Sequence, residues 1–203
     1  MHKAKQIFLK SLEQSRELNF LFLYLKDNLL VPLSFDDILR YQIVSTVSAF
    51  DKFIHDIIRI GMVDIFNGVR AETTKYASEP ITIEMYKNLV SATVPPKEAI
   101  FEQAIFQRHS KNSYQSPDNV ANGLSLIWNE QHKWEKISAA MGSNADLIRT
   151  NLKLIVNRRN AIVHEADMNP ITGEKTQISA DEASGITDFI ENCGKNIYNL
   201  VSA

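Results

Sequence analysis

The sequence predicts an all-α fold, a bundle of long helices with short inserted helices. Three observations carry that prediction. Glycine and proline are scarce, seven and six in 203 residues, and fall mostly between periodic segments. Apolar residues recur at three- and four-residue steps over long stretches. Helix-start signals stand in front of several of these stretches. The length fits one domain, taken as residues 1–203, with residues 1–33 forming an N-terminal helix that packs on the bundle. A chain of this size buries roughly 70% of its unfolded surface and needs no covalent staple.

The first helix is expected from about Lys3 to Leu29, with Ile7, Leu12, Leu18, Phe22 and Leu25 as its apolar positions and Pro32 closing the region. Ser34-Phe35-Asp36-Asp37 reads as an N-cap with acidic residues in the first turn. The helix that follows runs from about Phe35 to Phe66. Its stripe is Ile43, Val47, Phe50, Ile54, Ile57, Ile58 and Ile65, and Asn67-Gly68 stops it. Residues 69–81 read as a loop. A short helix is expected over Thr82–Ser91, and Pro95-Pro96 opens another from Lys97 to Phe106. Arg108 to Ser116 is polar and irregular. Ser116-Pro117, an N-cap with proline at the first helical position, starts a helix expected to reach Met141 and to end at Gly142. Asn144 caps the next helix, which carries Leu147, Ile148, Leu152, Ile155, Ile162 and Val163. Met168 to Gln177 is a loop with room for a short hairpin. Ser179-x-x-Glu182 is a capping box for a last helix to about Val201.

Composition narrows the function. The net charge is −2, from 22 basic and 24 acidic residues, so no global field draws in nucleic acid, and any such role rests on a local patch or pocket. The single cysteine, Cys193, excludes a disulfide framework and a cysteine-clustered zinc site, and fits a reducing compartment. The longest apolar run, Phe20–Leu25, is far short of a membrane span and is read as a buried helix segment. Met1–Lys10 has neither an apolar signal core nor a small-residue cleavage site, so a cytoplasmic protein is expected. Trp128 and Trp134 are read as core residues. Arg108, His109 and Lys111 before Tyr114 form a small basic-aromatic patch, a solvated loop or an RNA contact. Glu165 and Asp167 read as an acidic loop, and no convincing metal-ligand set or cofactor-binding motif is present.

One residue does not suit its helix. With Leu152 at zero on a wheel of about 100° per residue, Ile148, Ile155, Val156, Ile162 and Val163 fall within about 80°, and Arg159 falls in their midst at about 340°. Arg158 lies well outside the face. A guanidinium on an apolar stripe needs a partner: a buried ion pair, an anion in a pocket, or another chain. Asn160 and His164, four residues apart, stack on one edge of the same face. His164 is suited to proton transfer near neutral pH. On the long second helix Asp51 and His55 flank the stripe, and Asp51 is a candidate acceptor for Arg159, or simply a neighbour of His55.

Arg159-Asn160-Ala161-Ile162-Val163-His164 resembles the signature of the HEPN superfamily: an Arg, a polar residue that is usually Asn, and a His after four to six intervening residues. Val44–His55, Ser113–Pro117 and His164–Pro170 resemble the RiboL-PSP-type and similar prokaryotic members. The resemblance covers about residues 34–200 and implies an HEPN-like helical bundle that dimerises through the motif helices. It further implies a metal-independent endoribonuclease of a defence or toxin–antitoxin system, or else a non-catalytic module that binds a partner protein or nucleotide. The chemistry is coherent, because RNA carries its own nucleophile in the ribose 2′-hydroxyl. His164 suits the proton transfers, one copy from each chain. Arg159 suits the developing phosphorane charge. Asn160 suits orientation of the phosphate or the histidine. Arg158 suits docking of an RNA phosphate, with Asp51 and His55 in support. The products would be a 2′,3′-cyclic phosphate and a 5′-hydroxyl. An antitoxin or activating protein is the implied further partner.

Overall fold

The computed structural model describes residues 1–202 and is built of nine helices among them: α1 (His2–Asn28), α2 (Asp36–Phe66), α3 (Thr74–Ala77), α4 (Ile83–Ser91), α5 (Lys97–His109), α6 (Pro117–Leu124), α7 (Lys133–Ala140), α8 (Ala145–His164) and α9 (Ala180–Ser202). The only strand-like pairing among the described residues is one antiparallel bridge, Met168 with Lys175. It sits in the loop expected to hold a hairpin. The all-α expectation is met.

The α2 helix is the axis of the fold, packed against α1, α5, α6, α8 and α9. Its stripe explains why. Ile43, Val47, Phe50, Ile54, Ile57, Ile58 and Ile65 are all buried, and Phe8 of α1 stacks on Phe53 with ring centroids 4.6 Å apart. The polar side of the interior is satisfied within itself. Gln42 donates to Thr187 Oγ1 at 3.1 Å, and Asn19 donates to Ala180 O at 2.8 Å, tying α1, α2 and α9 together. Cys193 lies in this core, where burial pushes its thiol up to about 12, so it packs as a small hydrophobe.

Five expectations are corrected. The α1 stripe is Ala4, Phe8, Leu12, Ser15 and Phe22, with Ile7 outside it. The run Phe20–Leu25 is not buried: only Phe22 is, while Phe20, Leu21, Leu23 and Tyr24 are exposed, because one helical stripe meets α2 and the run is apolar all round. The helix expected over residues 117–141 is two, α6 and α7. Between them Leu126 and Ile127 turn into the core, and the carbonyls this frees find donors elsewhere. Thr73 Oγ1 donates to Ser125 O at 2.8 Å, and Arg70 Nη1 donates to Ile127 O at 2.8 Å. Thr73 also caps the one-turn helix α3 inside the expected loop, accepting from Tyr76 N at 3.0 Å. Finally, α5 runs on through His109, into the segment expected to be irregular.

Candidate active site

The α8 helix carries the motif. Asn144 Oδ1 accepts from Leu147 N at 2.8 Å, Asp146 follows in the first turn, and His164 is the last helical residue. The core side of α8 is Ile148, Leu152, Ile155 and Val156. The same face continues through Arg159 to Val163, but there the chain no longer covers it: Val163 is 45% exposed.

Arg159 is half-buried. Its Nη1 donates to Asn160 Oδ1 at 3.0 Å, its Nε is shielded from water without a partner, and it forms no ion pair among the described residues. His164, five residues on and about 140° round the helix, is exposed.

Arg158, one residue earlier and about 100° away, is used differently. Its Nη1 donates to Asp167 Oδ1 at 2.7 Å and its Nη2 to Gln177 O at 3.1 Å. The other Asp167 oxygen accepts from Arg40 Nε at 2.6 Å, and Arg40 Nη2 donates to Thr176 O at 2.7 Å. Asp167 is 1% exposed and Arg40 6%. Backbone bonds add to the clamp: Asp167 N to Ala161 O at 2.9 Å and Thr176 N to Asp167 O at 2.8 Å. Ala166 and Asp167 both adopt left-handed φ, 52° and 58°. An alanine rarely stays there unless the surroundings hold it. The loop after His164 is therefore fastened to α2 and to the 175–177 segment. Arg158 is held in an ion pair with Asp167, with its Nε shielded and without a hydrogen-bond partner. One expectation changes accordingly: Asp167 is a buried ion-pair partner, rather than part of a solvated acidic loop.

The supporting residues of α2 lie elsewhere. Asp51 accepts from Tyr114 N at 2.6 Å and from Gln115 Nε2 at 3.1 Å, so it holds the 114–115 turn and does not bind Arg159. His55 Nε2 lies 3.0 Å from Asn112 O, and its ring meets Tyr114 edge-on at 4.5 Å between centroids. Fifteen residues of α2 separate His55 from Arg40, about 22 Å at 1.5 Å per residue. Within one chain Asp51 and His55 thus form a second locus, apart from the motif.

Sequence reasoning missed Arg40 and Asp167. A signal for Arg40 exists: on the α2 wheel it lies about 60° from Ile43, on the line of Ile58, the same anomaly that marks Arg159. Asp167 has no such signal, since its burial comes from a loop folding back. Among the described residues no group of three His, Cys, Asp or Glu side chains is placed to hold a metal ion. No helix is long and apolar enough to cross a membrane.

Comparison with curated proteins and with solved structures finds no match. A family model does match, over residues 10–203. That span takes in most of α1 and every later helix, with the motif near the end of the late helix α8. The helical bundle and the extent of the match agree: the chain belongs to the RiboL-PSP-HEPN family, within the HEPN superfamily.

Proposed function

We propose that the chain is a metal-independent endoribonuclease that acts as a homodimer through its α8 helices. The observation that carries the reading is Arg159. A structural arginine on an apolar face would be sequestered by a carboxylate, as Arg40 and Arg158 are by Asp167. Arg159 has no such partner, and its side chain bonds only to the amide oxygen of Asn160. It is a cation preorganised for an anion that is not part of its own chain. A second copy seated on the uncovered Val163 side would bring two Arg159-Asn160-His164 sets to one cleft.

In that cleft one His164 removes the 2′-hydroxyl proton and the other protonates the leaving 5′-oxygen. Arg159 stabilises the pentacoordinate phosphorus charge. Asn160, already bonded to Arg159 Nη1, fixes the fork of the guanidinium. The bond from the 2′-oxygen to phosphorus forms as the bond to the 5′-oxygen breaks, leaving a 2′,3′-cyclic phosphate and a 5′-hydroxyl. A role in a defence or toxin–antitoxin system, restrained by an antitoxin or activating protein in the cytoplasm, completes the reading. A non-catalytic module binding a protein or nucleotide is the alternative favoured by the net charge of −2.

The test is cleavage of a mixed RNA pool in EDTA by the wild-type chain and by His164→Ala. Cleavage by the wild type alone, with cyclic-phosphate ends, is expected. Equal cleavage by both proteins, or none by either as a folded dimer, would overturn the reading.

A further inference from the structure

A second locus gathers residues that the motif leaves unused. Between α2 and α5 lies a cleft of about 280 Å³. Its floor is apolar, made by the buried Ile58, Ile105 and Tyr114, and Phe106 stands at its edge, 62% exposed. Two imidazoles, His55 and His109, line it.

A hydrogen-bond network fixes both rings. The carbonyl of Asn112 only accepts, so His55 Nε2 donates to it, at 3.0 Å. The side-chain amide of Asn112 donates to His109 Nδ1 at 3.0 Å and to Tyr114 Oη at 3.1 Å. The proton of neutral His109 therefore sits on Nε2, which is shielded from solvent and without a hydrogen-bond partner, 3.4 Å from Glu79 Oε1. Burial holds the His109 pKa below its usual 6.5, so the ring is neutral at pH 7. Asp51 braces the turn that closes the cleft through Tyr114 N.

The rim carries two cations, Lys52 and Arg59, and one anion, Asp56. Lys52 pairs with Asp56, and Arg59 pairs with Asp56 and with Glu102 just outside the cleft. The rim is thus close to neutral and selects little for phosphate. The volume lies just under the roughly 300–1,000 Å³ of sites that engulf a drug-sized molecule, which suits one planar heterocycle. An apolar floor and an exposed aromatic edge are the elements that recognise an unpaired base by stacking, and His55 Nδ1, the ring nitrogen this network leaves over, is an acceptor for a base edge.

We propose that the α2–α5 cleft binds a single nucleobase, from a free nucleotide or from an unpaired position of an RNA strand. In its RNA form the inference rests on the ribonuclease reading; the base site itself does not. The two loci lie about 20 Å apart along α2, so the base bound here is remote from the bond that His164 and Arg159 would act on.

The probes are the four ribonucleosides, added separately at millimolar concentration to the full chain. The readout is the ring resonances of His55, His109, His132 and His164. At least one nucleoside is expected to move His55 and His109 while leaving His132 and His164 in place. Phe106→Ala, at an exposed position that the fold does not need, should weaken that binding roughly tenfold or more. Nucleosides that move neither His55 nor His109, or that bind Phe106→Ala as well as wild type, overturn the proposal. A second arm uses His164→Ala and an unpaired oligoribonucleotide bearing the preferred base. A tenfold loss of oligomer affinity on adding Phe106→Ala assigns the base to RNA. An unchanged oligomer affinity, with nucleoside binding lost, assigns it to a free nucleotide. Failure of the wild type to cleave RNA would count against the ribonuclease reading and leave the nucleoside arm standing.

Discussion

Replacing Asp167 with alanine removes the carboxylate from between Arg40 and Arg158. Breaking a buried ion pair on one side costs about 3–5 kcal/mol, because the other charge stays buried and unpaired. Two features of the structure set where in that range the loss falls. Arg40 keeps Thr176 O at 2.7 Å and Asp37 Oδ1 at 3.1 Å, and Arg158 keeps Gln177 O at 3.1 Å, so neither guanidinium is stranded completely. Against that, residue 167 has φ of 58°, which alanine tolerates less well than aspartate. The expected loss is about 3–4 kcal/mol. At a urea slope of about 3 kcal/mol/M the unfolding midpoint falls by roughly 1 M with the slope unchanged. Asp167→Asn keeps the left-handed preference and one acceptor oxygen and should lose less. The decisive measurement is the double variant with Arg40→Met, whose apolar side chain removes the stranded charge. If the clamp is real, the double variant is more stable than the sum of the single losses by at least about 1 kcal/mol. A loss below about 0.5 kcal/mol for Asp167→Ala, or additivity within that margin, refutes the clamp.

Three further outcomes are expected. Arg159→Ala should leave the unfolding free energy within about 0.5 kcal/mol of wild type, since no ion pair is lost, and abolish RNA cleavage, whereas Arg158→Ala should cost about 2 kcal/mol or more through Asp167; the reverse pattern in paired unfolding and cleavage assays would show the two roles exchanged. Gly194→Ala places a methyl 2.7 Å from Phe8 Cζ, and the Phe8 ring cannot withdraw because it stacks on Phe53; a loss of about 1–3 kcal/mol from overpacking should appear in thermal or urea unfolding. His109 is held below its usual 6.5 by burial, with Glu79 acting in the opposite sense and Arg108, His55 and Lys75 reinforcing the drop. The unfolded chain then takes up this proton first, so native stability is lost as pH falls from 6.5 through the lower folded value. His109→Gln should flatten that part of the stability–pH curve, and an unchanged curve would place His109 in solvent.

What the sequence disclosed and what it hid divide along physical lines. Signals carried by neighbouring residues were legible. The α2 stripe, Ser116-Pro117, Asn144 and Ser179 each mark an element found where expected. So was the anomaly of Arg159, because a helix wheel needs only local periodicity. Features made by distant partners were not legible. Nothing in residues 125–132 breaks a helix, as neither glycine nor proline occurs there. The break exists because Thr73 and Arg70, far away in sequence, supply donors to the freed carbonyls. The run Phe20–Leu25 is apolar enough to be core, yet only Phe22 has an element to pack on. Asp51 and His55 were placed on the right flank of α2, but their partners come from residues 112–115, a loop whose path periodicity does not encode.

Net charge is the wrong scale on which to weigh an anion site here. Around the end of α8 the clamp contains Arg40, Arg158 and Lys175 against Asp37, Asp167 and Glu182, three of each sign, joined by ion pairs. The ion pairs that give this local neutrality include Arg158 and leave Arg159 outside the balance. Two adjacent arginines therefore diverge because one helical step of about 100° points them at different surroundings. The first meets a buried carboxylate and holds the loop that follows His164. The second meets only the amide of its neighbour and an uncovered apolar flank. A substitution of the first is expected to act on stability, and on the proposed reading a substitution of the second acts on the anion that the site receives. The chain's balance of −2 predicts neither effect. The contrast between the two variants, measured in one protein, separates an anion site from a structural arginine without knowledge of the substrate.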